Sequence, residues 1–219
     1  MTTEAVTLFK EDVLVLGQTV VRTLDEVTRL LKKESTASLE LIEEQEESIN
    51  QLYLGIEEKC MDLLLEKENL DAKAIRMLVA STTIAGKFER MADHANRVGR
   101  IACWAQEDKI DIPPELAQMA TIIHRMVQDT LLSFLTDATE KIPEILQRDS
   151  EVDYLDDVLS KKLLSNLGKQ DQAGAMMRAQ FLFCSRFLER MGDLCTSVAK
   201  RTHFIVTGRR LHAEASGVK

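Results

Sequence analysis

The chain has little of what several functional classes require. Aromatic residues make up 5% of its 219 positions, with one Trp and two Tyr, too few for a base-stacking platform. Positive charge is in the minority, with 28 Lys and Arg against 36 Asp and Glu, which opposes the broad basic footprint that binding to a phosphate backbone needs. These two absences exclude nucleic acid as a partner. Long apolar runs are missing as well: the stretches Val13 to Val21 and Met61 to Leu65 are short or broken by polar residues, whereas a membrane span takes about 20 apolar residues. The first residues, Met1-Thr2-Thr3-Glu4-Ala5, do not form the basic and then apolar run of a signal peptide, so a cytoplasmic location is expected.

The four cysteines, Cys60, Cys103, Cys184 and Cys195, have no Cys-x-x-Cys spacing, and a chain of this size needs no disulfide staples. They read as small buried hydrophobes. No nucleophile elbow, phosphate-cradling glycine loop or zinc-protease motif is present, and the paired Glu-x-x-His segments of a helical di-metal oxidase are absent too. A non-enzymatic role is therefore expected, with a helical di-metal enzyme as the weaker alternative.

Only three prolines and nine glycines interrupt the chain, and 45% of it is hydrophobic, enough for a sizeable core. Leu, Ala, Glu, Lys and Met favour helix over strand. A 3.6-residue apolar period predicts six long helices, near 4–33, 36–66, 71–107, 114–136, 139–168 and 172–207. Ser35-Thr36 is a candidate cap for the second helix and Asn69 or Asp71 for the third. Asp137 with Glu140 has capping-box spacing before the fifth. Pro113-Pro114 suits a helix start, and Gly168 followed by Asp171 suits a stop and a start. Pro143 is tolerated in a first turn or marks a later start for the fifth helix.

The sequence repeats itself. Phe88 to Val98, FERMADHANRV, aligns with Leu188 to Val198, LERMGDLCTSV, at an offset of 100, and Glu46 to Asn50 aligns with Asp149 to Asp153 at an offset of 103. The first three helices thus recur as the last three. Short loops make each set an up-down-up bundle, so the expected fold is all-α, a tandem repeat of two antiparallel three-helix bundles. The expected domains are residues 1–108 and 109–208, followed by a tail at 209–219.

On the third helix, Ile84, Phe88, Met91, Ala95, Val98 and Ala102 form the core stripe, while Glu89, Asp93, Asn96 and Arg100 share another face. The second copy places Glu189, Asp193, Thr196 and Lys200 in the same way. Like charges four residues apart cost a few tenths of a kcal/mol on an exposed helix, roughly, so the spacing gives no stability by itself. Compensation comes either from nearby cations (Arg90, Arg97 and Arg100; Arg186, Arg190 and Lys200) or from a metal bridging neighbouring helices. Each preceding helix offers a second oxygen-bearing pair, Glu46 with Asn50 and Asp149 with Asp153. The candidate metal ligands are therefore Glu46, Asn50, Glu89 and Asp93 in one half and Asp149, Asp153, Glu189 and Asp193 in the other. His94 is a further candidate beside Asp93, while His124, His203 and His212 have no ligand spacing. Oxygen-rich donors suit Mg, Mn or Fe better than structural zinc.

The two Glu-Arg-Met-x-Asp segments, together with IEEQEESIN before the first and ILQRDSEVD before the second, resemble the signature segments of the PhoU family of phosphate-uptake regulators. The resemblance runs from about Leu8 to Gly208. It implies tandem three-helix bundles, iron- or zinc-type clusters on the Glu/Asp-x-x-x-Asp motifs of some members, and restraint of phosphate import and signalling. The implied partners are components of a phosphate ABC transporter and a sensor histidine kinase, with membrane association only through them, and a homodimer is expected. Asn50 stands where an aspartate is usual, Ala92 where a glycine is usual, and Leu194 follows Asp193 where the first half has a histidine. The four-carboxylate second half is accordingly the better expected site. The alternative is a metal-free helical adaptor whose carboxylates pair only with arginines.

Overall fold

A computed structural model describes residues 2–65, 70–165 and 172–211. It contains six helices: α1 Thr2–Leu31, α2 Leu39–Leu65, α3 Ala72–Glu107, α4 Pro114–Thr136, α5 Ile142–Leu164 and α6 Gln172–Thr207. There is no strand among the described residues.

Within each half the helices run up, down and up. Glu43 reaches Arg100 and Tyr53 lies over Gly86, so α2 descends as α3 rises; Asp149 beside Gly192 and Asp156 beside Ser185 set the same antiparallel relation between α5 and α6. The halves are not separate globules. α1, α3, α6 and α4 pack in a closed ring, each against the next, while α2 covers the α1/α3 groove and α5 covers the α4/α6 groove. One continuous core results, from Phe9 and Leu16 on α1 through Phe88 on α3 to Ile123 on α4 and Leu188 on α6. The predicted α3 stripe of Ile84, Phe88, Met91, Ala95, Val98 and Ala102 is wholly buried. Helix approach at the ring is close at Gly17, where an added Cβ would collide with Leu131 and come within 3.1 Å of Phe88.

Boundaries follow local chemistry, and several differ from expectation. Asp71 caps α3 by accepting from the Ala74 amide at 2.7 Å, whereas Asn69, Gly168 and Asp171 lie outside the described residues. Ser38, not Ser35-Thr36, receives the first-turn amide of α2, from Leu41 at 3.3 Å, and Thr36 instead accepts from Arg29. Asp137 does not cap α5. It sits in the left-handed region at φ 51° and closes the end of α4, so α5 begins later, at Ile142, with Pro143 in its first turn. α3 closes in the same manner: Lys109, at φ 54°, donates to the Gln106 carbonyl and Ile110 to that of Ala105, the paired bonds of a Schellman motif formed without glycine. Cys60, Cys184 and Cys195 are buried as expected; Cys103 is only partly so.

Candidate metal centre

The site starts from a periodicity. Residues four apart on a helix project to one side, so the acid pairs of α3 and α6 are matched with Glu46/Asn50 of α2 and Asp149/Asp153 of α5 across each antiparallel contact. In the second half Asp149 on α5 lies against Gly192 on α6, with its Oδ1 2.8 Å from where a Cβ would stand on that glycine. Any other residue there would displace the carboxylate. Oδ1 is buried and has no hydrogen-bond partner. Burial, followed by the charges of Asp153, Asp193 and Glu189, pushes the Asp149 carboxyl up to about 7, with Lys200 opposing. Asp153 and Glu189 are also raised, each first by burial and then by Asp193. The four predicted residues of the second half therefore form one electrostatically coupled group.

The first half is built differently. Asn96 donates to Glu46, and Arg100 braces it by donating to the Asn96 side-chain oxygen at 3.0 Å and pairing with Glu43 at 2.8 Å. Glu46 is raised by burial and then by Asp93, through both its charge and a hydrogen bond; Glu89 is raised by burial and then by Asp93. Glu46, Glu89 and Asp93 thus belong together, and Glu89 and Asp93 line a groove of about 750 Å³ between α2 and α3. Asn50 is half-buried on α2, and its side chain makes no hydrogen bond among the described residues. His94 is turned toward the other half: its ring stacks on Phe187 of α6, 5.4 Å between centroids, and its Nδ1 is buried without a partner. Burial, then Arg97 and Arg190, holds its pKa below the ordinary imidazole range.

The expected cations compensate only in part: Arg90 offsets charge at Glu89, Arg186 at Asp153 and Glu189, and Lys200 at Asp149, without forming ion pairs there. Arg100 pairs with Glu43, and Arg186 with Asp156 at 2.9 Å. Among the described residues no ion pair reaches Glu89, Asp93, Asp149, Asp153, Glu189 or Asp193, and charges left so are costly where partly buried. An oxygen-only donor set with one orphaned buried oxygen fits a hard or borderline cation. Even so, no three His, Cys, Asp or Glu side chains among the described residues are arranged to hold a single ion.

Asp156 was missed in the sequence. It is 4% exposed, accepts from Ser185 at 2.6 Å, and contributes charge to both Asp153 and Glu189. Its signal was a lone acid in the buried stripe Val152, Asp156, Leu159, Leu163. The matching position in the first half is Tyr53, whose hydroxyl donates to Glu57 at 2.5 Å and is pushed up to about 12, first by that bond.

Among the described residues no helix is long and apolar enough to cross a membrane. Comparison with known proteins gives a consistent family. A phosphate-specific transport system accessory protein PhoU homolog of Clostridium acetobutylicum is 26% identical over 201 residues, 91% of each chain. The homolog of the same name from Synechocystis is 30% identical over 175 residues, covering 77% of this chain and 75% of that one. The crystal structure of the phosphate transport system regulatory protein PhoU from Streptococcus pneumoniae superposes with a TM-score of 0.85 at 24% identity, covering 97% of this chain and 100% of that one. PhoU from Pseudomonas aeruginosa gives 0.88 at 20%, covering 95% and 100%. At these identities the two structures speak to the fold. The PhoU domain matches twice, over residues 13–102 and 116–202, and with both copies in tandem on one ring of helices the chain belongs to the PhoU family.

Proposed function

We propose that this protein is a non-catalytic regulator of phosphate uptake and phosphate-responsive signalling, acting through protein contacts and binding metal ions on its Glu/Asp-x-x-x-Asp faces. The regulatory part is supported by family membership and by relatives named as accessory proteins of a phosphate-specific transport system. Its partners are transporter components and a sensor histidine kinase at the cytoplasmic side of the membrane, and the working unit is a homodimer of chains divided into repeats at 1–108 and 109–208 with a 209–219 tail.

The observation that carries the metal part is the orphaned Asp149 Oδ1 within an unpaired group of four carboxylates. Asp149, Asp153, Glu189 and Asp193 would hold the ion in the second half, iron or zinc first and Mn or Mg as alternatives. In the first half Glu46, Glu89 and Asp93 form a weaker set, with Asn50 and His94 as outlying candidates. Metal analysis of protein purified without chelator or affinity tag tests this. Binding of about one equivalent or more, with stability lost in EDTA, is expected. Sub-stoichiometric metal and indifference to EDTA would leave the metal-free adaptor, a reading favoured by the lack of any three-donor cluster among the described residues. A pull-down from the native cell that recovers neither a transporter component nor a kinase would refute the regulatory part.

A further inference from the structure

The ring of α1, α3, α6 and α4 has four outer grooves. α2 fills one and α5 another. The α3/α6 groove is filled by neither, and it differs in charge from the rest of this acidic protein. α3 carries six Lys and Arg against three Asp and Glu, and α6 five against two.

Six of these eleven cations, Arg76, Lys87, Arg90, Arg97, Arg190 and Arg201, lie along or beside the seam, whereas Arg100 and Arg186 face the covered grooves and Lys200 faces Asp149. The helices run antiparallel, since Arg97 lies over the Phe187 ring at 5.3 Å and Arg76 over Phe204 at 5.9 Å. From Arg76 to Arg97 the seam is about 30 Å long at 1.5 Å per residue. Arg90, Arg97 and Arg190 are exposed. Among the described residues, Arg97, Arg190 and Arg201 have no ion-pair partner; Arg100 and Arg186, which face the covered grooves, each have one, and Lys87 and Arg90 stand at the border of the seam, where they also line the α2/α3 groove with Tyr53 and Glu57. Arg201 and Arg90 lie close enough to Lys87 to help hold its ammonium below the usual range, after burial. Between the cations stand rings: Phe187 stacked on His94, Phe204 under Arg76, and Phe183 with 57% of its surface exposed. Clustered cations without ion pairs, of which only Arg90 has an acid beside it, Glu89, and which are interleaved with exposed apolar surface, mark an unfilled interface more readily than a solvated face.

The molecule also shows what such a groove holds. α2 carries eight acids and one lysine, yet packs its apolar edge (Ile42, Ile49, Ile56) into the α1/α3 groove while Glu43 meets Arg100. α5 does the same on α4/α6 through Val152, Leu159 and the Asp156–Arg186 pair. From this charge complementarity and from the two filled grooves, we propose that the open α3/α6 groove receives an acidic amphipathic helix of a partner protein, its carboxylates meeting Arg97, Arg190 and Arg201 and its apolar stripe covering Phe183 and Phe187. This rests on the reading that the chain acts through protein contacts, and it supplies the chemistry of that contact.

The test uses the full chain and a labelled synthetic peptide of about 20 residues, long enough to span the seam, with Leu at helical a and d positions and Glu beside them. Anisotropy titrations should show saturable, salt-sensitive binding, weakened about tenfold or more in R97E/R190E and less in R97Q/R190Q, with circular dichroism and melting unchanged. A Lys-for-Glu peptide should not bind. Equal binding by both arginine variants and the parent overturns the proposal. So does equal binding of a peptide with the same composition and a scrambled apolar stripe, which would make the seam a simple charge sink. Displacement of the peptide by millimolar inorganic phosphate, or R97E/R190E-sensitive sedimentation with phosphatidylglycerol vesicles in the absence of peptide binding, would reassign the seam to a small anion or to a membrane surface. A native pull-down separates the two levels of the argument: a transporter component recovered equally by parent and R97E/R190E overturns the seam and leaves the regulatory reading standing, whereas recovery by neither overturns the regulatory reading.

Discussion

Replacing Asp149 by Asn should stabilise the chelated protein at alkaline pH while abolishing its response to metal. The Asp149 carboxyl is pushed from 3.8 to about 7 by burial and by Asp153, Asp193 and Glu189. A carboxyl raised on folding keeps its proton in the native state where the unfolded chain has released it. Its contribution to stability is therefore complete below the unfolded value, near pH 4, and disappears as the pH rises through about 7. The face value of that displacement is roughly 4 kcal/mol. The carboxyl is only half enclosed, and solvent screening brings the expected effect to about 1–2 kcal/mol. For a chain of this length that is about 3–6 °C in Tm. Denaturation in EDTA at several pH values between about 3 and 8 should show the parent losing stability from near pH 4 to about pH 7 while Asp149→Asn loses less, the two converging at the acid end. Added metal should raise the melting point of the parent and leave the variant unmoved. A parent profile that stays flat, or a variant less stable than the parent at the alkaline end, would refute the view of Asp149 as an uncompensated buried carboxylate.

Gly192→Ala should act on the same oxygen from the other side. The new methyl would stand 2.8 Å from Asp149 Oδ1 and push it outward, so metal affinity measured by calorimetry should fall about tenfold, with Tm changed little because the carboxylate can swing. Unchanged affinity would show that Asp149 does not bind through that oxygen. Gly17→Ala tests the ring: its Cβ would meet Leu131 and Phe88 between three helices, and overpacking there should cost about 1–3 kcal/mol in urea denaturation. No loss would mean that the α1/α4 contact is looser than it looks. Asp156→Ala should cost about 2–4 kcal/mol, since it leaves the buried Ser185 hydroxyl only the weak thioether acceptor of Met119 and Arg186 without its partner, and the loss should be insensitive to EDTA.

How much of this was legible beforehand depends on whether the cause was local. The α3 core stripe and the acid pairs follow from helical phase, and the repeat follows from two copies of one motif at fixed offsets, so fold class and candidate ligands could be read together. Asp137 was misjudged because an Asp three residues before a Glu is also a residue that tolerates left-handed backbone, and the end of α4 claimed it first. The partners of the arginines were illegible for a different reason. Arg97 and Arg190 sit within a turn of the acid pairs in sequence, but helical phase points them to the α3/α6 seam, beside His94 and Phe187, and that contact belongs to the ring of four helices rather than to either three-helix repeat. His94 went the same way, onto Phe187.

The inequality of the two halves shows how such tertiary terms rewrite a repeated motif. In the second half a short acid, Asp149, faces a residue without a side chain, Gly192, and Thr196 turns its hydroxyl back to the Asp193 carbonyl at 2.9 Å, so nothing donates to the buried oxygen. In the first half the corresponding acid, Glu46, is one methylene longer, the corresponding glycine is Ala92, and Asn96 replaces the threonine and donates to the carboxylate. These three differences act in one direction. A longer acid tolerates the methyl of Ala92, and an amide supplies within the protein the positive partner that a cation would otherwise provide. Arg100 then fixes that amide in place. The first half thus satisfies its oxygen internally and the second does not, which is why metal should stabilise the second half more, and why Asn96→Thr, which restores the second-half residue, should raise metal affinity in the first half even though it removes a hydrogen bond.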